Sequence, residues 1–187
     1  MSKRNPDRPG VVILVGLPAS GKSTARAAAV ASGSARDSYH YSTDDKIDTH
    51  AAELGQTYND VFRDYARIAT QIADQEVRDA IGAGRNVLWD QTNMTAKKRR
   101  KILNQFPKEY SRDCICILPP FTQEQEDELQ RRLTSRAGKD IPAFVMKSMR
   151  SSFELPSTNE GFNRVMYFDI YGNMIDRHRA AELFGRM

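Results

Sequence analysis

Gly16-Leu17-Pro18-Ala19-Ser20-Gly21-Lys22-Ser23, continued by Thr24, is the stretch on which the fold turns. It matches the pattern G-x-x-x-x-G-K-[ST] in full. Glycines let a backbone fold round phosphate oxygens without Cβ clashes. Successive N–H groups then converge at a helix N-terminus, where the dipole also favours an anion. Lys22 adds a positive charge for the β- and γ-phosphates, and the Ser23 hydroxyl suits Mg²⁺. Gly16, Pro18, Ala19, Ser20, Gly21, Lys22, Ser23 and Thr24 are therefore the expected nucleotide-binding residues, and a nucleoside triphosphate, ATP or GTP, is the expected ligand with Mg²⁺.

The flanks agree with this reading. Val11-Val12-Ile13-Leu14-Val15 is an unbroken β-branched run, as in a parallel strand buried on both faces. Ser23 to Ala31 is alanine-rich and helix-compatible. Tyr39 to Ser42, Asn86 to Trp89, Cys114 to Leu118 and Val165 to Ile170 read as further strands. Between them, Tyr58 to Ala83 reads as a long helix whose apolar face carries Val61, Tyr65, Ile68, Ile72, Val77 and Ile81. Thr95 to Phe106, Thr122 to Ser135, Pro142 to Ser151 and Arg177 to Phe184 read as helices too. Strands alternating with helices predict an α/β fold, a parallel sheet flanked by helices.

At 187 residues the chain is sized for one domain, at roughly 150 residues each. Residues 1–10 read as a flexible basic arm and 11–187 as the domain. Hydrophobic residues are 40% and charged ones 28%, which excludes disorder along the whole chain. Lysine and arginine number 28 against 24 acids, a net charge of +4 that permits an anionic partner without demanding one. No apolar run approaches a membrane span and the start lacks a secretory h-region, so a cytoplasmic protein is expected. Cys114 and Cys116 share one side of a strand and read as core residues of a reduced protein rather than a disulfide or metal pair.

Transfer of a phosphoryl group to an alcohol also needs a base. Asp44 follows the second strand, beyond the carboxyl ends of strands where ligands of open parallel sheets lie. It suits proton acceptance, and equally a helix cap, as Thr43 does. Asp90 ends the third strand and could hold Mg²⁺ through water, with Thr92 and Asn93 lining the acceptor side; Asn93 or Thr95 could instead start the next helix. Arg132 and Arg136 are spaced i, i+4 and would share a helix face towards the transferring phosphate, in a lid of about residues 122–142. Lys97 to Lys101 is a basic run that circles its helix and reads as a solvated face, with nucleic-acid contact as the sharper alternative. Tyr39, His40 and Tyr41 read as strand residues, with base stacking as their alternative.

Together, Ser42-Thr43-Asp44-Asp45, Asp90-Gln91-Thr92-Asn93, Arg132 to Arg136, Gly138 to Pro142, Ser152 to Pro156 and Glu160 to Phe162 resemble the P-loop kinase domain of 5′-hydroxyl polynucleotide kinases of phage and eukaryotic end repair. The resemblance spans roughly Val11 to Val165. It implies a P-loop kinase fold with a helical lid and a Mg²⁺-dependent ATP kinase acting on a nucleic-acid 5′-hydroxyl. It implies that Asp44 is the general base, Lys22 and Arg136 contact the donor phosphates, and Arg132 supports them. It also suggests a phage protein working in its host's cytoplasm. Two positions depart from the family: Thr43 replaces a frequent arginine before the aspartate, and Ile47 stands where phage enzymes often place an arginine for the acceptor phosphate. Lys46 could substitute there as a point charge. The DQTN stretch and Pro142 to Met146 are also similar to the kinase-like module of heterogeneous nuclear ribonucleoprotein U, which keeps a non-catalytic nucleotide-dependent RNA-binding module open. Kinases of a hydroxymethylated DNA base or of a small metabolite would share the donor site with a different acceptor pocket.

Overall fold

The protein is described by a computed structural model covering residues 8–31 and 37–185. Six strands form one sheet in the order β2-β3-β1-β4-β5-β6. They are β1 (Gly10–Val15), β2 (Tyr39–Tyr41), β3 (Val87–Asp90), β4 (Ser111–Ile117), β5 (Arg164–Phe168) and β6 (Met174–Ile175). The first five pair in parallel and β6 is antiparallel to β5. The expected α/β fold with a parallel sheet is what the chain adopts. Strand β6 is too short to carry a hydrophobic period of its own, and the sequence reading omitted it.

Every residue of β1 is buried. Its side chains alternate between two apolar clusters, one on each face of the sheet. Val11, Ile13 and Val15 meet α3 (Tyr58–Gly82), α4 (Ala96–Leu103), α5 (Gln123–Thr134) and α7 (Arg177–Phe184) through residues such as Val77, Leu103, Leu129 and Ala180. Val12 and Leu14 meet α1 (Lys22–Ala31) through Ala29. Helix α2 (Thr43–Glu53) packs Ile47 and Ala51 on Val61 and Ala69 of α3. Helix α6 (Ala143–Ser151) follows α5.

The apolar face of α3 differs from the one its periodicity suggests. Val61 and Val77 are buried, but the stripe between them runs through Ala69 and Ala73, while Ile68 is 47% exposed. Close approach of helix and neighbour selects small residues there, and spacing alone does not show which of two adjacent stripes makes that approach. The expected flexible arm lies, for residues 1–7, outside the described residues. Residues 8–10 are tied down: the Arg8 guanidinium donates to Glu109 O at 2.8 Å, Ser111 N donates to Pro9 O at 2.9 Å, and Gly10 begins β1. Cys114 and Cys116 are free, fully buried thiols, and burial pushes both pKa values up.

Candidate active site

The turn after β1 is shaped by close contacts. A Cβ on Gly16 would stand 2.7 Å from Ser20 Oγ and 3.2 Å from Ile117 Cβ, so only glycine fits. Ala19 and Gly21 adopt positive φ of 61° and 106°, the alternation from which anion-binding concavities are built. The buried Ser20 hydroxyl has no hydrogen-bond partner among the described residues. Lys22 Nζ meanwhile rests on the loop's own carbonyls, donating to Leu17 O at 2.8 Å and Gly16 O at 3.1 Å. An unanswered buried hydroxyl and a mobile ammonium around a tight glycine turn fit an anion that brings its own acceptor oxygens. Loss of water lowers the Lys22 pKa to about 8 against the pull of Asp90 and Asp44, and Arg136 lowers it further. Ser23 and Thr24 stand exposed on the first turn of α1.

The segment after β3 braces this loop. Gly16 N donates to Thr92 O at 3.0 Å. Asn93, fully buried and at φ 47°, donates its amide to Leu14 O at 2.8 Å. A side chain so placed cannot line an acceptor surface, which corrects the expectation for Asn93. Thr95, not Asn93, caps α4.

Asp44 does not cap α2. The cap is Ser42, whose hydroxyl accepts from Asp45 N at 3.1 Å, leaving the Asp44 carboxylate free of that duty. Asp44 is exposed, and its Oδ1 accepts from the Tyr58 hydroxyl at 2.9 Å. Burial, followed by the charge of Asp44, raises the Tyr58 pKa, so the phenol stays a donor. Gln91 Nε2 donates to Thr43 Oγ1 at 3.2 Å and ties the end of β3 to the start of α2. Lys46 turns away and holds Glu76 of α3 at 2.6 Å, and Ile47 is buried against α3. Neither position is arranged as a contact for an acceptor phosphate, because this face of α2 is the one that packs on α3.

Asp90 and Asp45 both face Arg26 and His40. Arg26 Nη1 lies 3.1 Å from Asp45 and 3.6 Å from Asp90; the two His40 ring nitrogens lie 3.2 and 3.5 Å from the same carboxylates. Burial disfavours the charged imidazole, but the hydrogen bonds it donates to Asp45 and Asp90 prevail and its pKa rises. The bond from His40, helped by Arg26, lowers Asp45 to about 2. His40 thus belongs to a charge network. Tyr41 stacks on Trp89 with centroids 3.7 Å apart, and the hydroxyls of Tyr39 and Tyr41 donate to Glu76 and Asp74. These rings are committed to the fold, not to stacking on bases.

Arg132 and Arg136 do not share a helix face, because α5 ends at Thr134 and Arg136 lies beyond it. Arg132 is held by Glu128 at 2.6 Å and donates to Ile170 O at 3.0 Å; a Cβ on Gly21 would lie 3.4 Å from its Nη1. The Arg136 charge instead works to lower the pKa of both Lys22 and Tyr58. Past it, the Lys139 ammonium sits 4.4 Å over the Tyr58 ring and pairs with Asp48, while Gly138 O accepts from Asn59 N at 3.1 Å. The end of the predicted lid segment therefore rests on α2 and α3.

A cavity of about 590 Å³ opens between Gly21, Thr24 and Arg132 on one side and Phe168, Tyr171 and Gly172 on the other. Its size suits a small-molecule ligand. No motif marks it. The one sequence signal is Asp169-Ile170-Tyr171-Gly172-Asn173, a tight turn in which Asp169 Oδ1 accepts from Tyr171 N and Asn173 N.

Comparisons with known proteins match this architecture. The mouse heterogeneous nuclear ribonucleoprotein U-like protein 2 is 28% identical over 167 residues, 86% of this chain and 22% of its own length; the chain thus spans about a fifth of that relative. A kinase candidate from Chloroflexus aurantiacus superposes with a TM-score of 0.62 at 17% identity, covering 88% of this chain and 87% of that one. A chain of the Pnkp1/Rnl/Hen1 RNA repair complex superposes at 0.57 with 21% identity, covering 95% and 51%. These structures share the P-loop kinase fold, and the AAA domain model AAA_33 matches residues 11–156. This chain belongs to that family of AAA domains.

Proposed function

We propose that the protein is a Mg²⁺-dependent kinase that moves the γ-phosphate of ATP or GTP to a nucleic-acid hydroxyl, most simply the 5′-OH end of DNA or RNA. The observation that carries this reading is the Asp44 carboxylate: released from capping by Ser42, oriented by Tyr58, and close enough to Lys22 to act on its charge. A phosphate cradle with a free, oriented carboxylate beside it suits transfer to an alcohol better than nucleotide sensing.

In this reading the loop from Gly16 to Thr24 holds the triphosphate, and Lys22 leaves the carbonyls of Gly16 and Leu17 for the phosphate oxygens. The nucleoside occupies the cavity beside Arg132. The Ser23 hydroxyl and, through water, Asp90 would hold Mg²⁺, which would offset the phosphate charge. Asp44 takes the proton of the acceptor hydroxyl as its oxygen bonds to the γ-phosphorus and the β–γ bridge breaks, releasing ADP or GDP. Arg136 and Lys22 offset the negative charge on the transferring and leaving oxygens. The ribonucleoprotein relative and the RNA repair neighbour support a nucleic acid as acceptor.

Incubation with γ-labelled ATP and a panel of 5′-OH DNA, 5′-OH RNA, hydroxymethyl-base DNA and small alcohols tests this. Label on a 5′ end is expected, lost in Lys22→Ala and in Asp44→Asn, with ATP binding kept in the latter. Tight RNA binding with no labelled product in any arm would make the protein a binding module instead.

A further inference from the structure

Helix α4 carries four exposed cations that no described carboxylate answers within an ion pair: Lys97, Lys98, Arg100 and Lys101. Several other cations of this part of the fold are answered by carboxylates. Arg131 and Arg132 hold Glu128, Lys139 holds Asp48, Arg150 holds Glu126, and Lys46 holds Glu76.

The fifth cation of the run sets how the helix is turned. Arg99 is fully buried, forms a two-pronged pair with Glu160 at 2.7 Å, and donates to Asn93 O and Met94 O at 3.0 Å. Ile102 and Leu103 are buried beside it. With 3.6 residues per turn, Lys97 and Lys101 then fall opposite Arg99, one turn or about 5.4 Å apart, and Lys98 falls on the flank next to them. Arg100 lies on the other flank. Helix α4 begins shortly after β3 ends at Asp90, and there Gln91 Nε2 donates to Thr43 Oγ1 at 3.2 Å, beside Asp44. The row of lysines therefore runs outward along α4 from the helix end on the side of the proposed base. Asp44 itself is exposed, so an acceptor reaches it over this surface.

We propose that Lys97, Lys98 and Lys101 form a docking track for the sugar–phosphate backbone of a single-stranded polynucleotide whose 5′ end lies at Asp44. This rests on the kinase reading of the cleft and extends it: the acceptor is a polymer engaged beyond its terminal nucleoside. Lysines present point charges on flexible stems, so the track reads phosphates and not sequence.

The test uses the full chain and Lys97→Ala/Lys101→Ala, which leaves Asp44 and Lys98 in place. Labelled transfer is compared between a 5′-OH nucleoside 3′-monophosphate and 5′-OH oligomers of roughly a dozen nucleotides, in DNA and RNA arms. Fluorescence anisotropy measures binding of the same oligomers. For three phosphate contacts on a single strand, affinity is expected to fall roughly 20-fold between about 50 and 200 mM salt, and the double variant to lose most of that slope. Its ratio of kcat/KM for oligomer over monophosphate is expected to fall about tenfold. Equal ratios and equal salt slopes in wild type and variant would overturn the track. Displacement of the oligomer by poly-glutamate as readily as by unlabelled oligomer would also overturn it, in favour of an acidic peptide. Salt-sensitive binding that needs Lys97 and Lys101, with no labelled product in either arm, would keep the track and sink the kinase reading.

Discussion

The Tyr58 hydroxyl donates to Asp44 Oδ1 at 2.9 Å, and the Lys139 ammonium rests 4.4 Å above the same phenol ring. The segment leading out of the predicted lid thus touches the residue that orients the proposed base. One carboxylate oxygen is occupied by the phenol, which leaves the other to meet an acceptor.

Tyr58→Phe removes that hydrogen bond and keeps the ring under Lys139. A hydrogen bond to a charged group is worth about 1.5–3 kcal/mol when shielded, and Asp44 is exposed, so the effect lies at or below the lower end. A loss of roughly tenfold or less in kcat is expected, with KM for ATP unchanged. Steady-state kinetics check this, and a change confined to the ATP KM would count against Tyr58 orienting the base.

Lys22 should make donor affinity depend on pH. Its pKa is lowered to about 8 in the nucleotide-free protein. Bound phosphates favour the charged ammonium and raise that pKa again, so binding above pH 8 takes up a proton. Affinity for ATP is therefore expected to be flat below about pH 8 and to weaken by up to tenfold per unit above it. Titration calorimetry across this range in buffers of different ionisation enthalpy measures both the affinity and the proton uptake.

Gly16→Ala places a Cβ 2.7 Å from Ser20 Oγ and 3.2 Å from Ile117 Cβ and O. Overpacking of this kind costs about 1–3 kcal/mol, and the displaced side is the phosphate turn itself. Weakened ATP binding is expected together with a modest drop in Tm, read by calorimetry and thermal denaturation.

Arg99→Met leaves Glu160, 4% exposed, buried without its partner. Breaking one side of a buried pair costs about 3–5 kcal/mol, a Tm fall of roughly 6–20 °C at about 2–4 °C per kcal/mol. Arg99→Met/Glu160→Leu is expected to recover much of it. A thermal melt of the two variants separates the burial cost from loss of the helix itself.

How far the sequence could be read differs from motif to motif. The phosphate loop and its flanking strand and helix were legible because their chemistry is local: neighbouring N–H groups, glycines and one lysine act within nine residues. Asp44 was legible as a candidate, but its rivalry with a capping role was not resolvable, since the choice of Ser42 as cap depends on where the backbone enters α2. The arginine spacing misled, because i, i+4 implies a shared face only while the helix continues, and α5 stops at Thr134. The pairings of Tyr58, Arg26 and His40 with carboxylates were not legible. Tyr58 lies 14 residues from Asp44, Arg26 lies 19 from Asp45, and His40 bridges Asp45 on the next helix and Asp90 on β3; no sequence pattern encodes such pairings. The run Lys97 to Lys101 was legible as charge, yet the burial of Arg99 in its midst was not.

The sequence by itself determined the alternation of buried strands with amphipathic helices and the turn that holds phosphate, because hydrophobic period and glycine geometry are properties of short segments. Only the tertiary structure decided which charges meet across the cleft. It set Asp44 against Tyr58, sent Lys46 and Ile47 to the α3 side, turned Arg99 inward and left its neighbours in water. The physical reason is that a side chain's partner in space depends on how whole elements pack, and packing sums over contacts distant in the chain.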